Sequence, residues 1–394
     1  MKSTSRRSRS VVNERGMALP MTMIVLTLIT TLAMAFLALA ATEPTIASNH
    51  MASAQVRAIA ESGIERGLWA LSSGAVPDPL GQPAADAPYD GSTTIASGIG
   101  EFTVRIEDTA VVNERLITAV GYIPSRANPI ATKQIRLTAS RFKKLDPPCA
   151  ICAGGEQPVG TTTDIRIGGS AHVRASSGSG AQFCADAPLP QAAAMSQGTV
   201  TTNGSPELAA PPGGQSMIAN APAGTFNSFI FSNEEMAMLR DMAKAQGTYL
   251  QGSQSFSSPP PNGIVFIDTP SGNPFSNTSP SGDIINVDVH GNWSQGWSGW
   301  LIVAGSVQLS GNVSMTGMLY AQNDVTLHGS GGGGFTGAVI STNRMDTTST
   351  RVAEDVEDIG NAPITYDCPA VRDGGGTISQ RWFPKSGTFR EVAS

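Results

Sequence analysis

The strongest constraint on this chain is a run of 25 residues, Met17 to Ala41, that contains no charged side chain. Coiled as a helix, a run of that length reaches about 37 Å, enough to cross the roughly 30 Å hydrocarbon core of a bilayer. The residues before it carry Lys2, Arg6, Arg7, Arg9 and Arg15 against Glu14, a net of +4. Positive flanks stay on the cytoplasmic side, so the run reads as a single membrane span with the bulk of the chain exported. Removing that leader takes the formal charge from −6 to −10. An acidic chain disfavours nucleic acid as a partner.

The surroundings of the span say what kind it is. A secretory signal has a shorter apolar core followed by a small-residue cleavage site. Here a small residue, Gly16, precedes the apolar run, and no charged residue interrupts the chain from there until Thr42-Glu43-Pro44. Cutting after Gly16 would remove a hydrophilic leader and leave a hydrophobic helix as the new N-terminus at Met17. The stretch Arg15-Gly16-Met17-Ala18-Leu19 resembles the class III signal of type IV pilins and pseudopilins, and in particular minor pilins with a PilX-like N-terminus. A second stretch, Ala60-Glu61-Ser62-Gly63-Ile64-Glu65-Arg66-Gly67-Leu68, resembles a pattern of the same proteins. The resemblance covers about the first 75 residues. It implies prepilin peptidase as a processing partner, methylation of Met17, a single-pass hold in the inner membrane by residues 17–41, other major and minor pilins as partners through the N-terminal helix, and a filament or cell-surface location after assembly. Most major pilins carry a Glu where this chain has Met21, which points to a minor or tip subunit.

Beyond Pro44, Val56, Ile59, Ala60, Ile64, Leu68 and Leu71 recur at spacings of three and four, with Arg57, Glu61, Glu65 and Arg66 between them. That period puts the apolar groups on one stripe able to lie on a sheet. Gly63 and Gly67 each cost about 1 kcal/mol relative to Ala in a helix, so they mark close packing. Ser72 to Ser97 reads as loop. Alternation then predicts strands at Phe102–Ile106, Leu116–Tyr122 and Ile135–Phe142, joined by links short enough for antiparallel neighbours.

Pro147-Pro148-Cys149 breaks the pattern and sets a boundary. Past it, Val307-Gln308-Leu309-Ser310-Gly311 recurs as Val325-Thr326-Leu327-His328-Gly329, and Leu301-Ile302-Val303 as Leu319-Tyr320-Ala321 and Ala338-Val339-Ile340. Ile165 to Gly169 reads as an earlier copy. Only 14% of residues are charged and Gly numbers 43, a composition poor in helix formers. Short β segments repeating every 18 to 20 residues suit a β-solenoid, with hairpins of an ordinary sheet as the competing arrangement. Ser232-Asn233-Glu234-Glu235 is a capping box that opens a short helix over 233–246, stopped by Gly247.

The expected fold is α+β: a long transmembrane helix with a small antiparallel sheet, then a mainly β, solenoid-like domain. The expected divisions are a leader over 1–16, helix over 17–73, antiparallel sheet over 74–146, solenoid-like domain over 147–345, and a tail or cap over 346–394. Cys149, Cys152, Cys184 and Cys368 are an even set in an exported chain and read as disulfides. Three connectivities are open; Cys149 with Cys152 as a local clasp and Cys184 with Cys368 as a tie to the tail is preferred. A zinc site would want a second close pair. His50, His172, His290 and His328 are scattered, and no nucleophile elbow, metal motif or phosphate loop is present in the sequence. Gly331 to Gly334 reads as a turn, and Glu354, Asp355, Glu357 and Asp358 as a solvated acidic loop rather than a calcium site. Trp293, Trp297 and Trp300 read as a hydrophobic lid, with stacking on sugars as the alternative. No catalytic residue, metal or cofactor is expected. The expected role is assembly, initiation, tip capping or adhesion of a type IV pilus-like filament, with a surface or glycan as possible ligand. The alternative is a membrane-anchored solenoid that binds or cleaves polysaccharide through carboxylates such as Asp283 and Asp288.

Overall fold

The computed structural model describes residues 18–77, 80, 83–111, 113–141, 145–157, 161–185, 188–329, 333–345, 355–374 and 382–392. The chain divides into two compact units, Met1–Ser140 with Phe383–Ser394, and Arg141–Trp382.

In the first unit one helix, α1, runs over Ala18–Ser72 with Pro44 inside it. Up to Met51 its large apolar side chains are exposed, Leu19 and Leu37 by 72% and 70%. From Val56 onward the three-and-four stripe is buried: Val56, Ile59, Ala60, Ile64, Leu68 and Leu71 all pack inward. They meet an antiparallel sheet of Gly100–Asp108, Glu114–Ile123 and Ala131–Arg141, whose registers pair Ile106 with Ile117 and Ile117 with Leu137. These strands are the alternating runs of the sequence, each extended by a few residues. Phe142, the expected end of the last run, lies outside the described residues. One correction concerns the loop expected over Ser72 to Ser97: its end, Ile95–Ser97, is a strand paired to Gly100–Phe102, because the turn between them lets the chain close a hairpin on itself.

Helix and sheet approach through glycines. A Cβ on Gly63 would lie 2.8 Å from the Ala119 Cβ, one on Gly67 2.8 Å from Ile117 Cγ2, and one on Gly121 2.6 Å from the Val56 carbonyl oxygen. Backbones this close bury the apolar stripe directly on the strands. The C-terminal strand Arg390–Val392 joins the same sheet, antiparallel to Ala131–Arg141, and its Glu391 pairs with Lys133 at 2.6 Å and Arg57 at 3.2 Å.

The second unit is built of parallel strands in two sheets. One has the order Gln254–Phe256, Asn286–Val289, Ser306–Ser310, Val325–His328, Val356–Asp358, Ile165–Gly169, Val200–Gly204. The other contains Gly263–Asp268, Asn292–Val303, Asn312–Ala321 and Phe335–Ser341 as successive neighbours. The chain alternates between the sheets, so each strand pairs with one a full circuit later in sequence. Val307 lies beside Val325, Leu309 beside Leu327 and Leu301 beside Leu319, at the spacing of the sequence repeat. Parallel pairing excludes hairpins for these segments. Two expectations change. Leu319 pairs with Val339, not Ala338, because the longer link between those strands shifts the register by one residue. Ile165–Gly169 stacks beside Val356–Asp358 rather than beside the Val307 run it resembles. The stretch expected as a tail or cap therefore supplies Val356–Asp358 and Pro363–Thr365 to the two sheets and then the C-terminal strand of the first unit.

Inward side chains such as Leu301, Val303, Leu319, Ala321 and Val339 form one core between the sheets. Their outward neighbours Trp300, Ile302, Met318, Tyr320 and Ile340 are also buried. A helix over Asn233–Gln246, a shorter one over Cys368–Asp373 and the Phe226–Phe231 segment supply the cover, with Trp300 Nε1 donating to the Val371 carbonyl at 2.7 Å. The first of these helices opens on a closed capping box, Glu235 N donating to Ser232 Oγ and Ser232 N to Glu235 Oε2.

Candidate functional site

Two features carry chemistry that packing does not explain. The first is the N-terminal half of α1. Helix formation satisfies its backbone internally, and Thr22, Thr27, Thr30 and Thr31 turn their hydroxyls back onto carbonyls three or four residues earlier. These threonines therefore present no unmet hydroxyl donor to an apolar medium. Leu19–Ser72 includes a stretch long and apolar enough to cross a membrane. Met21 is 63% exposed on it and offers no charge. Gly16 and Met17 lie outside the described residues.

The second feature lies in the parallel-sheet unit. Along one inward column of the seven-stranded sheet the paired residues are Phe256, Val289, Leu309, Leu327, Asp358 and Ile167. A carboxyl thus stands where its neighbours are aliphatic or aromatic. Asp358 is 2% exposed. Its Oδ1 accepts from Gly360 N at 3.4 Å, while Oδ2 has no partner. Burial pushes the carboxyl up from 3.8 to about 7, against a smaller lowering by the Gly360 amide. This corrects the reading of a solvated acidic loop: Val356–Asp358 is a strand inside the sheet. Glu357 points the other way, 3.4 Å from Arg166 and 3.6 Å from His328 Nε2, and Asp355 accepts from Asp164 N. Glu354 lies outside the described residues. A pattern of apolar, acid, acid at Val356 to Asp358 signals charge by composition, and only the alternation of the strand reveals which acid turns inward.

The other candidate residues take structural places. Cys149 and Cys152 are bonded to each other, as are Cys184 and Cys368, and among the described residues no cysteine is free. Trp293, Trp297 and Trp300 are buried within the strand Asn292–Val303. Trp293 and Trp297 join the core between the sheets, Trp300 lies on the outer side beneath the Cys368–Asp373 helix, and none of the three presents an exposed stacking face. Asp283 is buried and accepts from Ser271 N and Oγ, while Asp288 sits on the outward row beside Gln308. His172 contacts Glu207 at 2.8 Å; His50 lies on α1. The described residues bring together no group of three metal-ligating side chains. Of the glycine run, Gly331 and Gly332 lie outside the described residues, and a Cβ on Gly333 would meet the Val313 backbone at 2.5 Å.

No family model matches this chain. No curated protein matches it either. Among solved structures it is similar to the competence-associated pilin ComZ from Thermus thermophilus, at 12% identity over 87% of this chain and 97% of that one. The TM-score is 0.22, too low to carry an argument about architecture or role.

Proposed function

We propose that this protein is a minor pilin or pseudopilin with a PilX-like N-terminus, acting in assembly, initiation, tip capping or adhesion of a type IV pilus-like filament. The observation that carries the reading is one continuous helix, Ala18–Ser72, whose first part exposes apolar side chains all round and whose second part lies by a single stripe on an antiparallel sheet. Such a helix has one half free for lipid or for neighbouring helices and one half that anchors a folded exported body. The motif Arg15-Gly16-Met17-Ala18-Leu19 immediately before it supports cleavage after Gly16 by prepilin peptidase and methylation of Met17.

In this reading the uncharged Met21 sets the subunit's place. An amine at Met17 gains no carboxylate from the Met21 position of an identical neighbour, and an unpaired charge in hydrocarbon costs about 2.5 kcal/mol or more. A subunit of this kind fits a filament end, where one neighbour is missing. Alternating passage of the chain between two parallel sheets, with 18- and 20-residue steps, supports a β-solenoid for the exported body. Its role is adhesive or structural, without catalysis or cofactor.

Intact-mass measurement of the protein isolated from membranes tests the processing. The expected N-terminus is methylated Met17, and Gly16→Leu should leave uncut precursor. Retained Met1, or cleavage near Ala41, would exclude the pilin reading.

A further inference from the structure

Helix α1 passes from an apolar half to a half packed on a sheet, and the stretch between them has neither surrounding. The 25 residues Met17 to Ala41 already exceed the roughly 20 that a bilayer core requires, so with that run in lipid the residues from Thr42 onward stand in water. The buried stripe that meets the antiparallel sheet begins only at Val56. Between the two, residues 42–54 are exposed throughout except for the half-buried Ala52.

Three supports of a helix in water are missing there. The first is tertiary cover, since helices in proteins draw most of their stability from packing one face. The second is ion pairing, which a helix exposed on every side needs at i,i+4 spacing. Glu43 is the one Asp, Glu, Lys or Arg in residues 42–54, and the Arg57–Glu61 pair at 2.9 Å lies in the packed half. The third is propensity. Thr45, Ser48, Asn49, His50 and Ser53 are weak helix formers, and the Ser and Asn side chains compete for backbone groups. Pro44 lies inside the helix; it has no amide for the Ala40 carbonyl, and its ring disfavours helical backbone at Glu43. A helix growing out of the apolar half is therefore checked at Pro44. One growing back from Val56 has to pass Ser53, His50, Asn49 and Ser48 with no other element to lean on.

We infer that residues 42–54 form a conformational link that exchanges between helix and coil in a single chain, so that the apolar half of α1 and the folded body reorient independently. Coiled, the 13 residues hold the two halves about 20 Å apart; as coil they allow any separation up to roughly 45 Å. The inference needs only lipid or detergent around the apolar half, and it holds or fails apart from the filament role.

Hydrogen exchange read by mass spectrometry on the full chain in a non-ionic detergent tests it. Amides of residues 42–54 should exchange within about tenfold of the rate of an unstructured peptide, while those of residues 56–71 exchange at least about a hundredfold more slowly. Nitroxides on Ala38→Cys and Ser62→Cys would stand about 36 Å apart along a straight helix; the native cysteines are paired and do not take the label. Their distance distribution should be broad. A variant carrying Pro44→Ala, Thr45→Ala, Ser48→Ala, Asn49→Ala and Ser53→Ala changes only side chains outside the packed stripe, and it should slow exchange in the link at least about tenfold and narrow the distribution. Link amides as protected as those of residues 56–71, a single narrow distance near 36 Å in the parent, or no slowing in the alanine variant would each overturn the inference.

Discussion

Replacing Gly63 by Ala sets two effects of known size against each other. In an exposed helix the change is favourable by about 1 kcal/mol, since Ala orders its backbone at less entropic cost. Here the new Cβ would lie 2.8 Å from the Ala119 Cβ and 3.2 Å from Phe102 Cδ2. Ala119 has no side-chain torsion through which to yield, is fully buried, and sits in the central strand of the sheet. Relief therefore requires the helix to move off the strands, and overpacking of this kind costs about 1 to 3 kcal/mol. Packing wins, with a net loss of up to about 2 kcal/mol, or roughly 4 to 8 °C in a unit of this size. The assay is thermal unfolding of the full chain in detergent, followed by circular dichroism. Ala119→Gly opens the space that the new methyl needs, so the two changes should couple favourably by more than about 0.5 kcal/mol. A rise in midpoint for Gly63→Ala alone, or additivity of the pair, would refute the close approach of helix and sheet.

The second unit offers further tests. Asp358 binds its proton more tightly folded, at about 7, than at its ordinary 3.8; its contribution is therefore full at low pH and is lost as pH rises through 7, by roughly 4 kcal/mol in all. The stability gained by Asp358→Leu in denaturant titration should be roughly 2 to 3 kcal/mol larger at pH 8 than at pH 5, and a pH-independent gain would contradict the buried position. The Cys184–Cys368 bond closes 184 residues, for which chain entropy gives about 5 kcal/mol; the double serine variant should lose several kcal/mol in guanidinium unfolding, and a loss under about 1 kcal/mol would show that the bond does not restrain the unfolded chain. Ser232→Ala removes the acceptor of Glu235 N and should cost about 1 kcal/mol, read by the same titration; an unchanged midpoint would place the cap outside the cooperative unit.

Features set by neighbours in sequence were legible without the structure. The uncharged run, the apolar stripe from Val56 to Leu71, the three alternating strands and the Ser232 capping box each depend on local period or a contact three residues away, so composition and spacing suffice to find them. The repeat at Val307 and Val325 was readable because parallel pairing at a constant circuit length brings equivalent residues side by side.

Tertiary structure decided whatever depended on which distant segment arrived where. Leu319 meets Val339 because the intervening link is longer than its predecessor, a difference that similarity of letters cannot align. The tryptophans of Asn292–Val303 and the acids of Val356–Asp358 have the composition of a surface patch and a solvated loop, yet strands stacked on both sides bury Trp293, Trp300 and Asp358. By itself the sequence determined a membrane-length helix feeding a β-rich body, since hydropathy and periodicity act along the chain. Which carboxyl would be taken out of water was decided only when Val356–Asp358 slid between Val325–His328 and Ile165–Gly169, because desolvation depends on neighbours in space.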